Sequence, residues 1–89
     1  MKYEVELTKE FKKSFKKLSI KDKNSTLYII EKLSNGKTLD PKYKDHKLKG
    51  EYKDFRECHI KPDLLLIYKI QEKLLSLACI DIGSHSELF

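Results

Sequence analysis

Three histidines, His46, His59 and His85, are the side chains of this 89-residue sequence that ordinarily titrate near neutrality. Each sits in a segment crowded with polar groups. The first reads Lys44-Asp45-His46-Lys47-Leu48-Lys49-Gly50. The second reads Phe55-Arg56-Glu57-Cys58-His59-Ile60-Lys61-Pro62-Asp63, and the third Gly83-Ser84-His85-Ser86-Glu87-Leu88-Phe89. Cleaving RNA without a metal needs a base for the 2′-OH, cations for the charge gathered at phosphorus, and an acid for the leaving 5′-oxygen. His, Glu and Asp serve as acid or base, and Lys and Arg supply charge. The three segments contain all of these, so composition permits this chemistry without selecting it.

Other chemistries find less support. Three His with Asp63, Glu57 or Cys58 would offer zinc ligands. No HxxxH, HExxH or CxxC spacing is present, and the ligands would have to converge from three separate segments, so no metal is expected. Cys58 and Cys79 fall in alternating apolar segments and read as inert core thiols rather than nucleophiles or a disulfide framework. The three glycines are isolated, which leaves no phosphate loop, no dinucleotide fingerprint and no expected cofactor.

The length allows one small domain, 1–89, with one modest core. The longest apolar run, Leu64-Leu65-Leu66-Ile67-Tyr68, is far short of a membrane span. The N-terminus lacks an apolar signal region, so a cytoplasmic protein is expected. Charge is uneven. Residues 1–49 hold fourteen Lys against seven acids (+7), and residues 50–89 hold four Lys and one Arg against seven acids (−2). A basic half suits a polyanion or an acidic protein partner, although a solvated lysine face would look the same.

The elements that must position the histidines follow from periodicity. Residues 3–7 alternate as a short strand. Thr8 caps a helix whose stripe is Leu7, Phe11, Phe15 and Leu18, with a lysine face opposite. Ser19 starts a second helix, about 20–34, with Ile20, Leu27, Ile30 and Leu33 on its buried side, and Asn35-Gly36 ends it. After a loop at 37–42, a short polar strand is expected at 43–49. Further strands are expected at 52–60, 64–70 and 74–82, the second of them apolar on both faces. Strand parity places Cys58 and Ile60 on one face and Phe55, Glu57 and His59 on the other. The main elements run β-α-α-β-β-β. This is an α+β domain with two N-terminal helices on one face of a mainly antiparallel sheet, and the open face carries the function.

Taken together, the three histidine segments resemble the YafQ-like toxins of the RelE/ParE superfamily of type II toxin–antitoxin systems. Leu39-Asp40-Pro41-x-Tyr43-Lys44-Asp45-His46-x-Leu48-x-Gly50 is similar to that group's entry strand. Phe55 to Tyr68 is similar to its central hairpin, and Gly83 to Phe89 to its C-terminal signature. The resemblance implies a RelE-like fold of the microbial-RNase type and a metal-independent endoribonuclease, or mRNA interferase, that cuts translated mRNA on the ribosome. It also implies a cognate acidic antitoxin. His46, His59, Asp63, His85 and Phe89 fall on positions used for catalysis or mRNA binding in that group. His85 matches the proton donor, His46 or His59 the base or its orienting group, and Glu57 is a third candidate for proton handling. Arg56, Lys49 and Lys53 are candidates to hold phosphates, and Phe89 to stack on a base.

Two departures stand out. Asp81 occupies a place where relatives often carry a basic residue, and would repel the scissile phosphate if its side chain reached the open face. Leu64 stands where many have an aromatic. Two other functions compete: a toxin of the same fold, or an inactivated relative, that acts on another target without cleaving RNA, and a plain nucleic-acid-binding domain resting on the lysine face.

Overall fold

A computed structural model describes residues 1–89. Its elements in chain order are β1 (Glu4–Leu7), α1 (Lys9–Lys16), α2 (Ile20–Ser34), β2 (His46–Lys47), β3 (Arg56–Lys61), β4 (Leu64–Gln71), β5 (Ser76–Gly83) and α3 (His85–Leu88). Short 3₁₀ turns at Pro41–Tyr43, Gly50–Tyr52 and Glu72–Leu74 join them. The strands form one five-stranded sheet in the order β1-β5-β4-β3-β2. Every neighbouring pair is antiparallel except β1–β5, which is parallel. The sheet is therefore mixed, and α1 and α2 pack on one of its faces.

Local chemistry sets the helix ends. The Thr8 hydroxyl accepts from the Phe11 N–H at 3.0 Å, and the Ser19 hydroxyl from the Asp22 N–H at 3.1 Å. Each satisfies a donor that a first helical turn leaves unpaired. Gly36, at φ +75°, takes the left-handed conformation that turns the chain off α2.

The core lies between α1, α2 and the near face of the sheet. Phe11, Ile29, Ile30 and Leu33 from the helices meet Cys58, Leu66, Tyr68, Leu77, Cys79 and Ile82 from the strands. On α2 the buried stripe is Thr26, Ile29, Ile30 and Leu33. Ile20 (76% exposed) and Leu27 (51% exposed) lie outside it, contrary to the expected face. A threonine can occupy the stripe because its hydroxyl donates to the Asp22 carbonyl at 2.8 Å within the helix. Leu7, expected on the α1 stripe, is also exposed.

β4 is the middle strand, and Leu64 to Tyr68 are all buried. Its far face is not open at the centre, because Leu65 and Ile67 there are buried along with Glu57. The expected strand at 43–49 contracts to His46–Lys47, since Pro41 starts a 3₁₀ turn and Lys44 then adopts a left-handed backbone (φ 48°). The other ends shift too. The 3₁₀ turns at Gly50–Tyr52 and Glu72–Leu74 delay the starts of β3 and β5, and the tail forms α3.

Candidate active site

The site is built by pairing β2 with β3. His46 lies opposite Glu57, and His59 follows Glu57 by two residues on the same face. The Nε2 atoms of His46 and His59 each stand 3.7 Å from Oε1 of Glu57. The carboxylate is nearly inaccessible, with a side-chain exposure of 8%, while the rings show 50% and 25%. One buried acid is thus clasped between two accessible imidazoles.

The rings are held by their other nitrogens. Nδ1 of His46 meets the Lys44 carbonyl at 2.6 Å, and Nδ1 of His59 meets the Pro62 carbonyl at 3.3 Å. A carbonyl only accepts, so Nδ1 carries the proton in both rings and Nε2 is the nitrogen turned to Glu57. Neutral rings so arranged present lone pairs to a carboxylate. A proton arriving on either Nε2 turns that repulsion into attraction.

Beneath this row, on the helix side, lies a second polar cluster. The buried Tyr68 hydroxyl donates to Asp45. Arg56 donates from Nη2 to Asp45 at 3.1 Å and from Nε to the Tyr68 oxygen at 3.3 Å. Burial first, then the bond to Asp45, pushes the Tyr68 hydroxyl far above its ordinary pKa. For Arg56, desolvation opposes the charge, but the bonds to Asp45 and Tyr68 outweigh it and raise the pKa.

The remaining candidates are dispersed. His85 is exposed on α3 and makes no hydrogen bond or ion pair with the row; its ring rests on Phe89 at 5.1 Å. Phe89 in turn meets Tyr52 edge-on at 5.5 Å, tying the tail to the β2–β3 connection. That connection carries Lys49 and Lys53, both exposed. Across the sheet Gly83 pairs with Leu65 and Leu65 with His59, which brings the root of α3 to the His59 end of the row. Asp63 is exposed in the β3–β4 turn. Arg56 is not with the histidines, because strand parity sends it to the opposite face, into the ion pair with Asp45. Beside His59 a cleft of about 460 Å³ is lined by Lys42, Tyr43, Lys44, Lys61 and Pro62. No group of three or more His, Cys, Asp or Glu has the arrangement of a metal site.

Asp81 also departs from expectation. The β4–β5 register shifts between Ile67 and Tyr68, so Ile67 pairs with Asp81 and Tyr68 with Cys79. The Asp81 carboxylate lies toward α1, the side on which simple strand parity sets it with Leu77 and Cys79, and there it accepts from the Ser14 hydroxyl at 2.8 Å. It therefore does not face the histidine row, and its partner is a serine rather than a lysine or arginine.

Sequence reading gave Tyr52 and Tyr68 no role. For Tyr68 a signal existed: a tyrosine on the core-facing parity of a central strand needs a buried acceptor. The thiols of Cys58 and Cys79 are each pushed up to about 12 by burial, which keeps them protonated.

This architecture recurs in solved toxins. A metal-bound toxin from Helicobacter pylori superposes with a TM-score of 0.86 at 43% identity, over 98% of this chain and 99% of that one. The toxin of the Escherichia coli DinJ–YafQ toxin–antitoxin complex gives a TM-score of 0.84 at 33% identity, over 100% and 99%. Fold and sequence thus define a small α+β toxin of the RelE-like kind. A model of the family described as the bacterial toxin of type II toxin–antitoxin systems, YafQ, matches residues 3–89, and the chain belongs to that family. The mRNA interferase toxin YafQ of Escherichia coli strain B is 36% identical over 89 residues, covering 97% of this chain and 95% of that protein.

Proposed function

We propose that this toxin is an endoribonuclease that cleaves translated mRNA on the ribosome by internal attack of a 2′-OH. The observation that carries this reading is the buried Glu57 carboxylate held between two histidine Nε2 atoms. In the reaction, Nε2 of His46 or His59 accepts the 2′-OH proton. The imidazolium so formed lies beside the carboxylate, which stabilises it as the acid partner does in other His–carboxylate pairs. The 2′-oxygen attacks phosphorus, and His85 gives a proton to the departing 5′-oxygen. Lys49, Lys53 and the cleft lysines offset the charge that develops on the phosphate. Asp63 sits in the turn that supplies the Pro62 carbonyl and supports the orientation of His59. Phe89 offers a stacking surface at the tail. Arg56 serves the backbone beneath the row rather than the phosphate.

The nucleophile belongs to the substrate, so no activated water is required, and the products carry a 2′,3′-cyclic phosphate and a 5′-OH. The test is cleavage on programmed ribosomes whose magnesium is maintained while trace transition metals are chelated. Intact activity with cyclic-phosphate ends is expected, and 5′-phosphate ends would overturn the mechanism. Growth arrest with uncut mRNA would favour a toxin that binds another target. The protein partner proposed is an acidic antitoxin encoded beside the toxin. The lysines of α1 (Lys9, Lys12, Lys13 and Lys16) give it a strongly basic surface to meet.

A further inference from the structure

β2 is only two residues long, and it is joined to the sheet through two residue pairs, His46 with Glu57 and Lys47 with Arg56. So short a ladder holds its register weakly. A slip of one residue would turn His46 to the opposite face and leave Glu57 with a single histidine. The Leu48 N–H bond to the Phe55 carbonyl at 3.0 Å extends this ladder by one step, and the structure adds a side-chain hold one residue upstream of His46. Asp45 precedes His46, and Arg56 precedes Glu57. Successive residues of extended chain point to opposite sides, so the pair that faces the helices lies directly below the pair that does the chemistry. Asp45 is fixed there by two donors, the Tyr68 hydroxyl from β4 and Nη2 of Arg56 from β3.

We propose that Asp45 is a positioning residue, clamped by Tyr68 and Arg56 so that β2 keeps the one register in which His46 faces Glu57. This goes beyond the reading of the histidine row as catalytic and rests on it. Tyr68 is 1% exposed and belongs to the middle strand, so the clamp is anchored in the buried centre of the sheet. Charged clusters of this kind contribute little net stability, and fixing register is their best-attested use. The left-handed Lys44 completes the device. With Asp45 held, the φ of 48° at Lys44 brings its carbonyl back to Nδ1 of His46. The same backbone conformation occurs at Leu75, which ends a turn and whose carbonyl accepts from the Glu4 N–H at 2.8 Å rather than from a histidine.

The test uses the whole folded protein, labelled with nitrogen-15, and reads the ring nitrogens of the three histidines. Tyr68→Phe keeps the core ring and removes the hydroxyl. Asp45→Asn keeps the shape and removes the charge. In both, the His46 signals are expected to move away from the Nδ1–H tautomer while those of His85 stay in place. Single-turnover cleavage should fall, by up to about 100-fold for a misplacement on the order of 1 Å. Tyr3→Phe is the matched control: it removes a hydroxyl bonded to Glu72 at 2.6 Å, away from the histidine row, and should move no histidine. Unchanged His46 signals in both variants would overturn the proposal. So would an equal displacement of all three histidines, or loss of the fold in both variants, which would make the clamp a matter of stability alone. A parent protein that cuts no RNA would remove the catalytic reading, and the ring-nitrogen shifts would still decide the positioning.

Discussion

The two halves of the proposed site are built to opposite specifications. The His46–Glu57–His59 row lies on paired strands, its acid is buried, and each ring is tied by Nδ1 to a carbonyl. The His85–Phe89 tail is a four-residue helix, exposed, held by aromatic contacts and a capping box. In that box the Ser84 N–H donates to Glu87 Oε1 at 2.7 Å and the Glu87 N–H to the Ser84 hydroxyl at 3.3 Å. So short a helix has almost no stability of its own. The contrast teaches a division of labour. On the proposed reading, the base side is tied into the sheet before RNA arrives, and the acid side sits on a short exposed helix that RNA could settle.

The most forceful way to break the comparison is His85→Ala. An exposed ring contributes little to folding, so the melting temperature should hold while single-turnover cleavage falls by about 10²–10⁴-fold. A folded variant with parental cleavage would take the proton donor away from the tail. Glu57→Gln comes next. Cleavage should fall by about 10²-fold because an amide cannot stabilise an imidazolium. The melting temperature should not drop, since the buried charge and its desolvation penalty disappear together. A large thermal loss would make Glu57 a structural residue.

Smaller effects sharpen the contrast. Ser84→Ala removes a cap worth about 1 kcal/mol, or roughly fivefold in the population of the ordered tail. Faster amide exchange at 85–88 with no change at 56–61 would be the signature, and faster exchange in both regions would deny their independence. The pH dependence is smaller still. The Glu87 carboxyl is held below its ordinary value of 4.5, first by the Ser84 N–H and then by the Ser84 hydroxyl. A folded value below the unfolded one gives stability that is fully present above the unfolded value. That stability is lost as pH falls through the lowered one. Acid titration followed by NMR should therefore fray α3 as pH falls below the ordinary 4.5, before the sheet responds, and simultaneous loss of both would refute it.

What could be read from the sequence divides along the same line as range of interaction. Thr8, Ser19 and Asn35-Gly36 mark helix ends because a cap involves neighbours three or four residues away. The middle strand was legible from the apolar run at 64–68. Ile20 and Leu27 misled because hydrophobicity alone does not choose between two adjacent faces of α2, and Thr26 hides its burial behind an internal hydrogen bond. The pairing of His46 with Glu57 follows from register, which a two-residue strand does not announce. Strand parity sets Arg56 with Cys58 and Asp81 with Cys79 on the helix side, but the partners they meet there, Asp45 and Ser14, are 11 and 67 residues away in sequence and leave no periodic trace.

The parallel pairing of β1 with β5 has a consequence for timing. Glu4 is bonded into the sheet beside Ser76, so β1 must wait for β5, the last of the five strands in chain order. Such distant pairing delays closure of the fold until the intervening chain is available. His85 and Phe89 lie beyond that closing strand. A nascent toxin therefore stays unassembled until β5 has been made, and on the proposed reading unarmed until the residues after it follow. Ribosome-bound chains stopped before residue 76 should be digested by protease far faster than released ones. Protection already present in such chains would show that the sheet assembles without its final strand.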